Sequence, residues 1–576
     1  QIIERLDLAG YFLIVHDIAD FARRERILCQ GRGSAANSAV CYSLGITAVD
    51  PVGMKLLFER FLSEERGEWP DIDLDLPSGD QRERVIQYVF EKYGEHGAAM
   101  TANVITYRTK MAVREMGKVL GLDSATLDRL SKKLSGLDSE ADPEDVTTRL
   151  KEAGVDPQAP RIRHLLGLIQ SVRGLPRHLG QHSGGIVIAA GRLDEVVPIE
   201  PAQMAGRRVV QWDKEDCADQ GIIKIDLLGL GMLAALEETI PLIRTHEGVD
   251  IDLAHLPEDD PATYQMIQRA DTVGVFQIES RAQMATLPRM KPRVFYDLVV
   301  EIAIIRPGPI VGKMVHPYLN RRAGREPITY PHPCLEPILE RTLGVPIFQE
   351  QLLRIAMTAA NFSGGEAEEL RRAMGFKRSA ERMEKIEIRL REGMTKKGLS
   401  TEAQEDIIRQ ITSFALYGFP ESHSASFALI AYASSYLKCH HPAAFLTGLL
   451  NAWPMGFYNP ATLVKDAQRH GVKVRPIDVR HSNWRCTLEP GRLQSRPPAV
   501  RIGLRFASGL HEATGNWIEA ERTHADFKNL ADLVQRVPLK ENEIQNLAEL
   551  GALSSLDGTP RSRRAATHSS ASCNGS

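Results

Sequence analysis

The sequence predicts a multidomain α+β protein, and three observations lead there. Its 576 residues exceed what one hydrophobic core supports, and at roughly 150 residues per domain they imply about three to five domains. Over the opening hundred residues short apolar runs alternate with helical patterns, the mark of sheet and helix built together. From about residue 232 to 470 the pattern is mainly helical, punctuated by Arg306-Pro307-Gly308-Pro309 and Pro331-His332-Pro333.

Taken in order, Ile27 to Cys29 reads as a short strand, followed by a Gly-rich turn and a helix from about Ala35 to Leu44. Asp80 is an N-cap, Val85, Val89 and Tyr93 recur every fourth residue, and Gly94 stops that helix. From about Asn103 to Gly180 the pattern is helical and basic, with Arg108, Lys110, Arg114, Lys118, Arg129, Lys132 and Lys133 at polar positions. Strands resume at Gly185 to Ala189 and at Gly221 to Leu227, so a helical insertion within a mixed sheet domain is the simplest organisation. Short β-like runs return at Val472 to Pro476 and Arg501 to Leu504, and a last helical stretch covers Ala531 to Leu556. The tail from Arg561 to Ser576 is rich in Ser, Arg and Ala without apolar period and reads as disordered.

Composition excludes several classes. With 43% hydrophobic and 25% charged residues the chain is neither fibrous nor wholly disordered. The 71 basic and 74 acidic residues leave −3, so any site for a polyanion is a local patch. Apolar runs such as Leu298 to Ile305 are interrupted by Glu301 or fall short of the roughly 18 to 20 residues of a membrane span. Seven cysteines without a C-x-x-C pair fit neither a disulfide framework nor a zinc ribbon, which points to a reducing, cytoplasmic setting. Gln1 in place of Met suggests a fragment whose upstream sequence is missing.

The chemistry concentrates in Pro70-Asp71-Ile72-Asp73-Leu74-Asp75-Leu76, where acidic and apolar residues alternate. On a strand the period of two puts the three carboxylates on one face and Ile72, Leu74 and Leu76 on the buried one. Carboxylates so crowded repel unless a cation sits among them, and hard oxygen ligands suit Mg²⁺. A solvated edge strand is the bland alternative; an EF-hand loop fails because its sixth position is Leu76 and its twelfth Arg82. Upstream, Gln30-Gly31-Arg32-Gly33-Ser34 joins a strand to a helix, where backbone N–H groups can hold a phosphate. No Gly-Lys-Ser/Thr follows, so it is not a Walker loop. A third acid, Asp226 in Ile222-Ile223-Lys224-Ile225-Asp226, shares a strand face with Lys224.

On these residues the chain resembles the bacterial C-family polymerase III α subunit. The matching stretches are Gly31 to Ser34, Phe58 to Leu62, Pro70 to Asp75, His182 to Ala189, Lys224 to Gly229, Val275 to Ser280, Arg306 to Pro309, Gln349 to Gln351, Leu370 to Gly375 and Tyr417 to Leu429. The resemblance implies a palm of polymerase-β-like nucleotidyltransferase topology (1–102 and 182–231) and a helical thumb inserted at 103–181. It further implies mainly helical fingers (232–520) and a helix-hairpin-helix-like element (521–560) ahead of the disordered tail (561–576). It assigns Asp71, Asp73 and Asp226 as the catalytic acids for two Mg²⁺ ions, with Asp75 in the motif but outside that trio. Gly33, Ser34, Lys224, Arg371 and Arg372 would hold the incoming triphosphate, and His423 would discriminate the sugar. Arg108, Lys110, Arg114 and Lys118 would grip duplex phosphates. For the pair Arg371 and Arg372 the bland alternative is a solvated helix face, and for His423 a satisfied core histidine. Such a site joins a dNMP to a primer 3′-hydroxyl by two-metal phosphoryl transfer and needs no protein nucleophile.

Within the family, Ser34 to Tyr42, Leu175 to His178, Pro454 to Tyr458 and Val464 to His470 resemble the error-prone, damage-induced paralogue. That implies translesion synthesis and mutagenic repair on primer-template DNA, with recruitment to the sliding clamp through accessory mutagenesis proteins. Set against the family pattern, its amino-terminal phosphoesterase-like and C-terminal oligonucleotide-binding domains are expected to be missing from this chain. A replicative α subunit, a small-acceptor nucleotidyltransferase of the same palm superfamily, and a catalytically silent DNA-binding remnant remain the alternatives. Other signals carry less: His178 and His182 lack a third ligand, His440-His441-Pro442 ends a helix, and Trp453, Trp484 and Trp517 read as packing residues.

Overall fold

The computed structural model describes residues 1–58, 61–62, 70–136, 142–189, 191–305, 312–373, 380–414, 418–490 and 497–556. Its strands in chain order are β1 (Gln30–Arg32), β2 (Asp73–Pro77), β3 (Ala98–Thr106), β4 (Pro176–Ile188), β5 (Ile199–Pro201), β6 (Arg208–Val210), β7 (Ile223–Leu230), β8 (Val474–Arg475), β9 (Thr487–Glu489) and β10 (Ala499–Arg501). The chain forms two units, one of Gln1–Ile86 with Asp226 onward and one of Gln87–Ile225. This is the mixed helix-and-sheet architecture that the pattern of apolar periods predicts.

In the first unit β1 pairs antiparallel with β2, and β2 pairs parallel with β7. The long helix Glu421–His440 lies against β1, the turn after it and the helix Phe295–Ile304. It can approach closely because the buried positions Ser424, Ala425, Ala428, Ala431 and Ser435 are small. Side-chain hydrogen bonds lock that packing: the Ser424 hydroxyl donates to the Val299 carbonyl (2.6 Å), and the Gln30 amide donates to the Ser426 carbonyl (3.2 Å). Around it Val275, Ile278, Leu287, Leu298, Val299 and Phe348 form a continuous apolar core. Glu301 is buried completely within this environment. A smaller sheet, β8–β10–β9, with the helices Glu512–His524, Leu530–Arg536 and Glu541–Glu549 follows in sequence. No helix among the described residues is long and apolar enough to cross a membrane.

In the second unit β3 pairs antiparallel with β4 and parallel with β6, which pairs antiparallel with β5. Between β3 and β4 the helices Thr109–Val119, Ser124–Lys133, Pro143–Glu152 and Pro160–Val172 enclose Ala112, Val113, Leu130, Leu150, Leu165 and Ile169.

Several sequence expectations need correction. The strand expected at Ile27 to Cys29 lies at Gln30–Arg32, because the supposed turn residue Gly31 is a strand residue. Its N–H donates to the Ile46 carbonyl at 2.6 Å, and a Cβ there would meet that oxygen at 2.7 Å. The helix expected over Ala35 to Leu44 is split into a 3₁₀ turn, Gly33–Asn37, and a short helix, Ala39–Ser43, because the Ser38 side chain accepts the Cys41 N–H as an N-cap. The helical stretch from Asn103 to Gly180 begins inside β3 and ends inside β4. Β-strand β3 was hidden because Ala98, Ala99, Thr101 and Ala102 present no apolar alternation; it is held by its neighbours' ladders rather than by propensity. Strand structure at Arg501 to Leu504 is confined to Ala499–Arg501, with a 3₁₀ turn at Leu504–Phe506. Gly94, at φ 75°, does interrupt the helix Asp80–Gly97. Arg306 to Pro309 and the tail from Arg561 lie outside the described residues.

Candidate active site: a carboxylate triad on paired strands

The acidic segment is fixed by its apolar half. Ile72, Leu74 and Leu76 are fully buried, so by the strand period Asp71, Asp73 and Asp75 must face the other way. Two further bonds fix the approach to β2. The Ile72 N–H donates to the Tyr11 hydroxyl (3.0 Å), and the Ser34 hydroxyl donates to the Asp71 carbonyl (2.7 Å). Register does the rest: Asp73 stands directly opposite Asp226 across the parallel β2–β7 pair. Arg82, just after β2, donates to the Leu227 carbonyl at 2.8 Å and secures β7 next to that register.

As a result Asp71, Asp73 and Asp226 offer carboxylate oxygens that all lie within 4.8 Å of one another, Asp71 exposed and the others half-buried. Three acidic side chains with oxygen-only donors so close together suit a hard divalent cation. Asp75, the fourth acid, is separate. It is 1% exposed, and burial pushes its carboxyl up to about 6 against the opposing pull of Arg32. The Arg32 guanidinium lies 3.2 Å from Asp75 and 3.9 Å from Asp73.

The structure brings His423 to the same place. Gly33 adopts φ +64°, the left-handed region that glycine tolerates, and a Cβ on it would sit 4.0 Å from His423 Nδ1. The imidazole is held between the rings of Phe419 and Phe427, at centroid distances of 5.3 and 4.3 Å. Burial first, and the neighbouring Arg32 charge second, lower its pKa to about 4, so the ring is neutral at physiological pH. Gly33, Ser34, Asp71, Asp73, Asp226 and His423 are therefore assembled around one spot from segments far apart in the chain. Lys224 is half-buried on β7, two residues before Asp226 and on the same face by the strand period.

Other expected residues are placed elsewhere or differently engaged. Arg371, on the helix Gly364–Ala373, grips the Glu368 carboxylate with its Nε (2.9 Å) and Nη2 (2.6 Å); the Arg372 side chain lies outside the described residues. On the helix Thr109–Val119, Arg108 at the N-cap and Lys110 are exposed, while Arg114 pairs with Asp128 (2.6 Å) and Lys118 with Glu115 (3.3 Å). His182 accepts the Gly184 and Gly185 N–H groups and so caps a bend in the strand. His440 and His441 pair with Asp260 and Glu247 where the long helix ends. Trp484 packs against Gly515, where a Cβ would clash at 2.3 Å.

A second acidic cluster was not foreseen. Asp271, Asp466 and His470 also approach within 4.8 Å, but Lys438 projects into them, its Nζ 3.4 Å from Asp271 and 2.9 Å from Asp466. Arg32 and Phe427 were missed as well, although both lie inside stretches that carry the family resemblance; a lone arginine in a Gly-rich strand facing an acidic strand was the available signal.

A strand-borne carboxylate triad beside a Gly-Ser turn defines a site fit for metal-dependent phosphoryl transfer. Family models agree with that class: the bacterial DNA polymerase III alpha NTPase domain matches residues 1–229, the alpha subunit finger domain 232–398, and a helix-hairpin-helix motif 471–566. The chain is 50% identical to the error-prone DNA polymerase of Methylococcus capsulatus, over 97% of this chain and 55% of that protein. It is 52% identical to the one from Pseudomonas aeruginosa, over 97% of this chain and 54% of that protein. The chain belongs to the bacterial DNA polymerase III alpha family. It spans about half the length of the curated relatives it matches.

Proposed function

We propose that this chain is the catalytic core of a template-directed DNA polymerase that extends a primer 3′-hydroxyl with dNMPs and works in error-prone, damage-induced synthesis. The observation that carries the reading is the convergence of Asp71, Asp73 and Asp226 within 4.8 Å, beside Gly33, Ser34 and His423. In the reaction the primer 3′-oxygen bonds to the α-phosphorus of a dNTP, and the bond to the β-phosphate oxygen breaks to release pyrophosphate. Asp71, Asp73 and Asp226 fit two Mg²⁺ ions, which when bound would supply Lewis acidity at the attacking and leaving oxygens.

The chain's own residues do the rest. Gly33 leaves the turn open to a triphosphate, and Ser34, Lys224, Arg371 and Arg372 supply polar and cationic contacts to it. The neutral His423 ring, fixed by two aromatic neighbours, excludes a ribose 2′-hydroxyl by its bulk and retains no charge to attract the phosphates. Arg108, Lys110, Arg114 and Lys118 hold duplex phosphates; Arg108 and Lys110 are exposed for this task. In this reading 1–102 and 182–231 form the palm, 103–181 the thumb, 232–520 the fingers and 521–560 the helix-hairpin-helix-like element.

The error-prone role is supported by the name the matched relatives bear and by the paralogue-like stretches Ser34 to Tyr42 and Val464 to His470. The full-length protein would act in the cytoplasm and reach the sliding clamp through accessory mutagenesis proteins. Primer extension with Mg²⁺ and four dNTPs tests the core reading: template-directed growth is expected, while untemplated transfer, or DNA binding without turnover, contradicts it. For the error-prone role, the full-length protein should extend a mismatched primer better than a replicative α subunit lacking its proofreading partner, and equal extension would refute it.

A further inference from the structure

The three acids of the triad are not held in the same way. Asp73 and Asp226 face each other across the β2–β7 ladder. Asp71 lies before Asp73, the first β2 residue to pair with β1 or β7, so its backbone needs another restraint. The peptide between Asp71 and Ile72 has one. Its carbonyl accepts the Ser34 hydroxyl (2.7 Å), and its N–H donates to the Tyr11 hydroxyl (3.0 Å). Both edges of one planar group are thereby gripped by side chains from segments far apart in the chain. A plane held on both edges cannot turn about the line joining the Cα atoms of Asp71 and Ile72, and that rotation is what would swing the Asp71 side chain. The grip is firm on the Tyr11 side. Tyr11 is 2% exposed on the helix Ala9–Arg24, its ring edge-to-face with Phe12 at 6.0 Å, and Ile72 is fully buried. On the other side, a serine hydroxyl carries one proton, and that of Ser34 goes to the Asp71 carbonyl.

We propose that Tyr11 and Ser34 are positioning residues that clamp the Asp71–Ile72 peptide and so keep the Asp71 carboxylate within the triad. The inference rests on the reading of Asp71, Asp73 and Asp226 as a metal centre. It gives the Ser34 side chain a task other than donating to a triphosphate, a contact that the backbone of its turn can make instead. Hydrogen bonds that orient metal-binding carboxylates are worth roughly 10- to 100-fold in metal affinity or activity. Because the two bonds act on one plane, losing either releases it, and losing the second adds little.

The test uses the whole chain and two readouts, with folding of each variant checked by circular dichroism. The first is Mn²⁺ binding without nucleotide, read from the electron paramagnetic resonance of the free ion. Tyr11→Phe and Ser34→Ala should each weaken binding by on the order of tenfold, and Tyr11→Phe/Ser34→Ala should lie within about threefold of the weaker single variant. The second is primer extension, where each single variant should lower kcat while KM for the dNTP stays within about twofold of its original value. Asp226→Asn is the control for the centre itself. If Asp226→Asn loses Mn²⁺ but Tyr11→Phe and Ser34→Ala bind it normally, or their losses multiply in the double variant, the clamp is overturned and the metal centre stands. A raised KM with unchanged kcat in Ser34→Ala also overturns it, since the hydroxyl then serves the nucleotide. If Asp226→Asn binds Mn²⁺ as well as the unsubstituted chain, the metal centre falls and this inference with it. Should Tyr11→Phe not fold, Ser34→Ala alone decides by the same two readouts.

Discussion

Among the described residues, two clusters of side chains bring candidate ligand atoms within 4.8 Å of one another, and they differ in how a cation stands to them. In the one formed by Asp271, Asp466 and His470, the cation is built in. Lys438, 7% exposed, places its ammonium within 2.9 Å of Asp466 and also donates to the Val273 carbonyl at 2.9 Å. Charge and hydrogen bonding hold Asp271 below the usual carboxylate range despite its burial. In the cluster of Asp71, Asp73 and Asp226, Arg32 is a charged neighbour of Asp73 at 3.9 Å and stands nearer to Asp75, at 3.2 Å. The difference teaches that proximity of carboxylates does not by itself define a metal site; the cation a fold places within a cluster, and how deeply it is buried there, matters as much.

Substitutions can break this comparison at either end. The largest effect is expected at the triad, where Asp73→Ala should lower primer-extension turnover on the order of 10³-fold or more through lost transition-state charge stabilisation. Thermal unfolding of that variant should occur at an unchanged or higher temperature, since one like charge is relieved. At the second cluster the outcome is reversed. Asp466→Ala should cost on the order of 3 kcal/mol, because it takes a partner from a buried ammonium, while turnover per folded molecule stays the same. Denaturant titration beside single-turnover kinetics separates these outcomes, and a thousandfold turnover loss in Asp466→Ala with stability intact would erase the distinction.

A buried acid with no cation paired to it among the described residues sharpens the contrast. Glu301 is fully buried, neither of its carboxylate oxygens has a hydrogen-bond partner among the described residues, and burial pushes its pKa up to about 8. The folded state thus holds a proton that the unfolded chain releases near its ordinary pKa of 4.5. Stability from this group is complete below that value and falls as pH rises toward 8, by about 1.4 kcal/mol per pH unit. Glu301→Gln should flatten this decline and be the more stable form at pH 8 and above. A pH series of unfolding free energies that is parallel in the two proteins contradicts the assignment.

A smaller effect is expected at His423. His423→Ala should admit ribonucleotides more readily while leaving deoxynucleotide incorporation near its original rate. Because the imidazole titrates near 4, discrimination in the unsubstituted chain should not change between pH 6 and 8. An unchanged dNTP/rNTP ratio in the variant removes His423 from the sugar site.

What could be read in the sequence follows from how local each feature is. The alternation from Asp71 to Leu76 is a property of six adjacent residues, so the buried face and the acidic face of β2 were both legible. Asp226 was legible as an acid ending an apolar strand, but its register against Asp73 depends on a pairing that no local pattern encodes. The approach of His423 to Gly33 depends on small residues along the helix Glu421–His440, and from the residues alone a core histidine was the better reading. β3 was illegible because its alanines carry no alternation, and the second cluster because Lys438 meets Asp271 and Asp466 only through tertiary packing.

The central claim, that the triad drives templated nucleotide addition, is tested most directly by offering one dNTP at a time on four templates that differ in the first unpaired base. The account predicts that the unsubstituted chain adds only the complementary dNMP as the favoured product on each template, and that Asp226→Asn, though folded, adds none at a comparable rate. Addition that ignores the template base, or that proceeds equally well in Asp226→Asn, would contradict it.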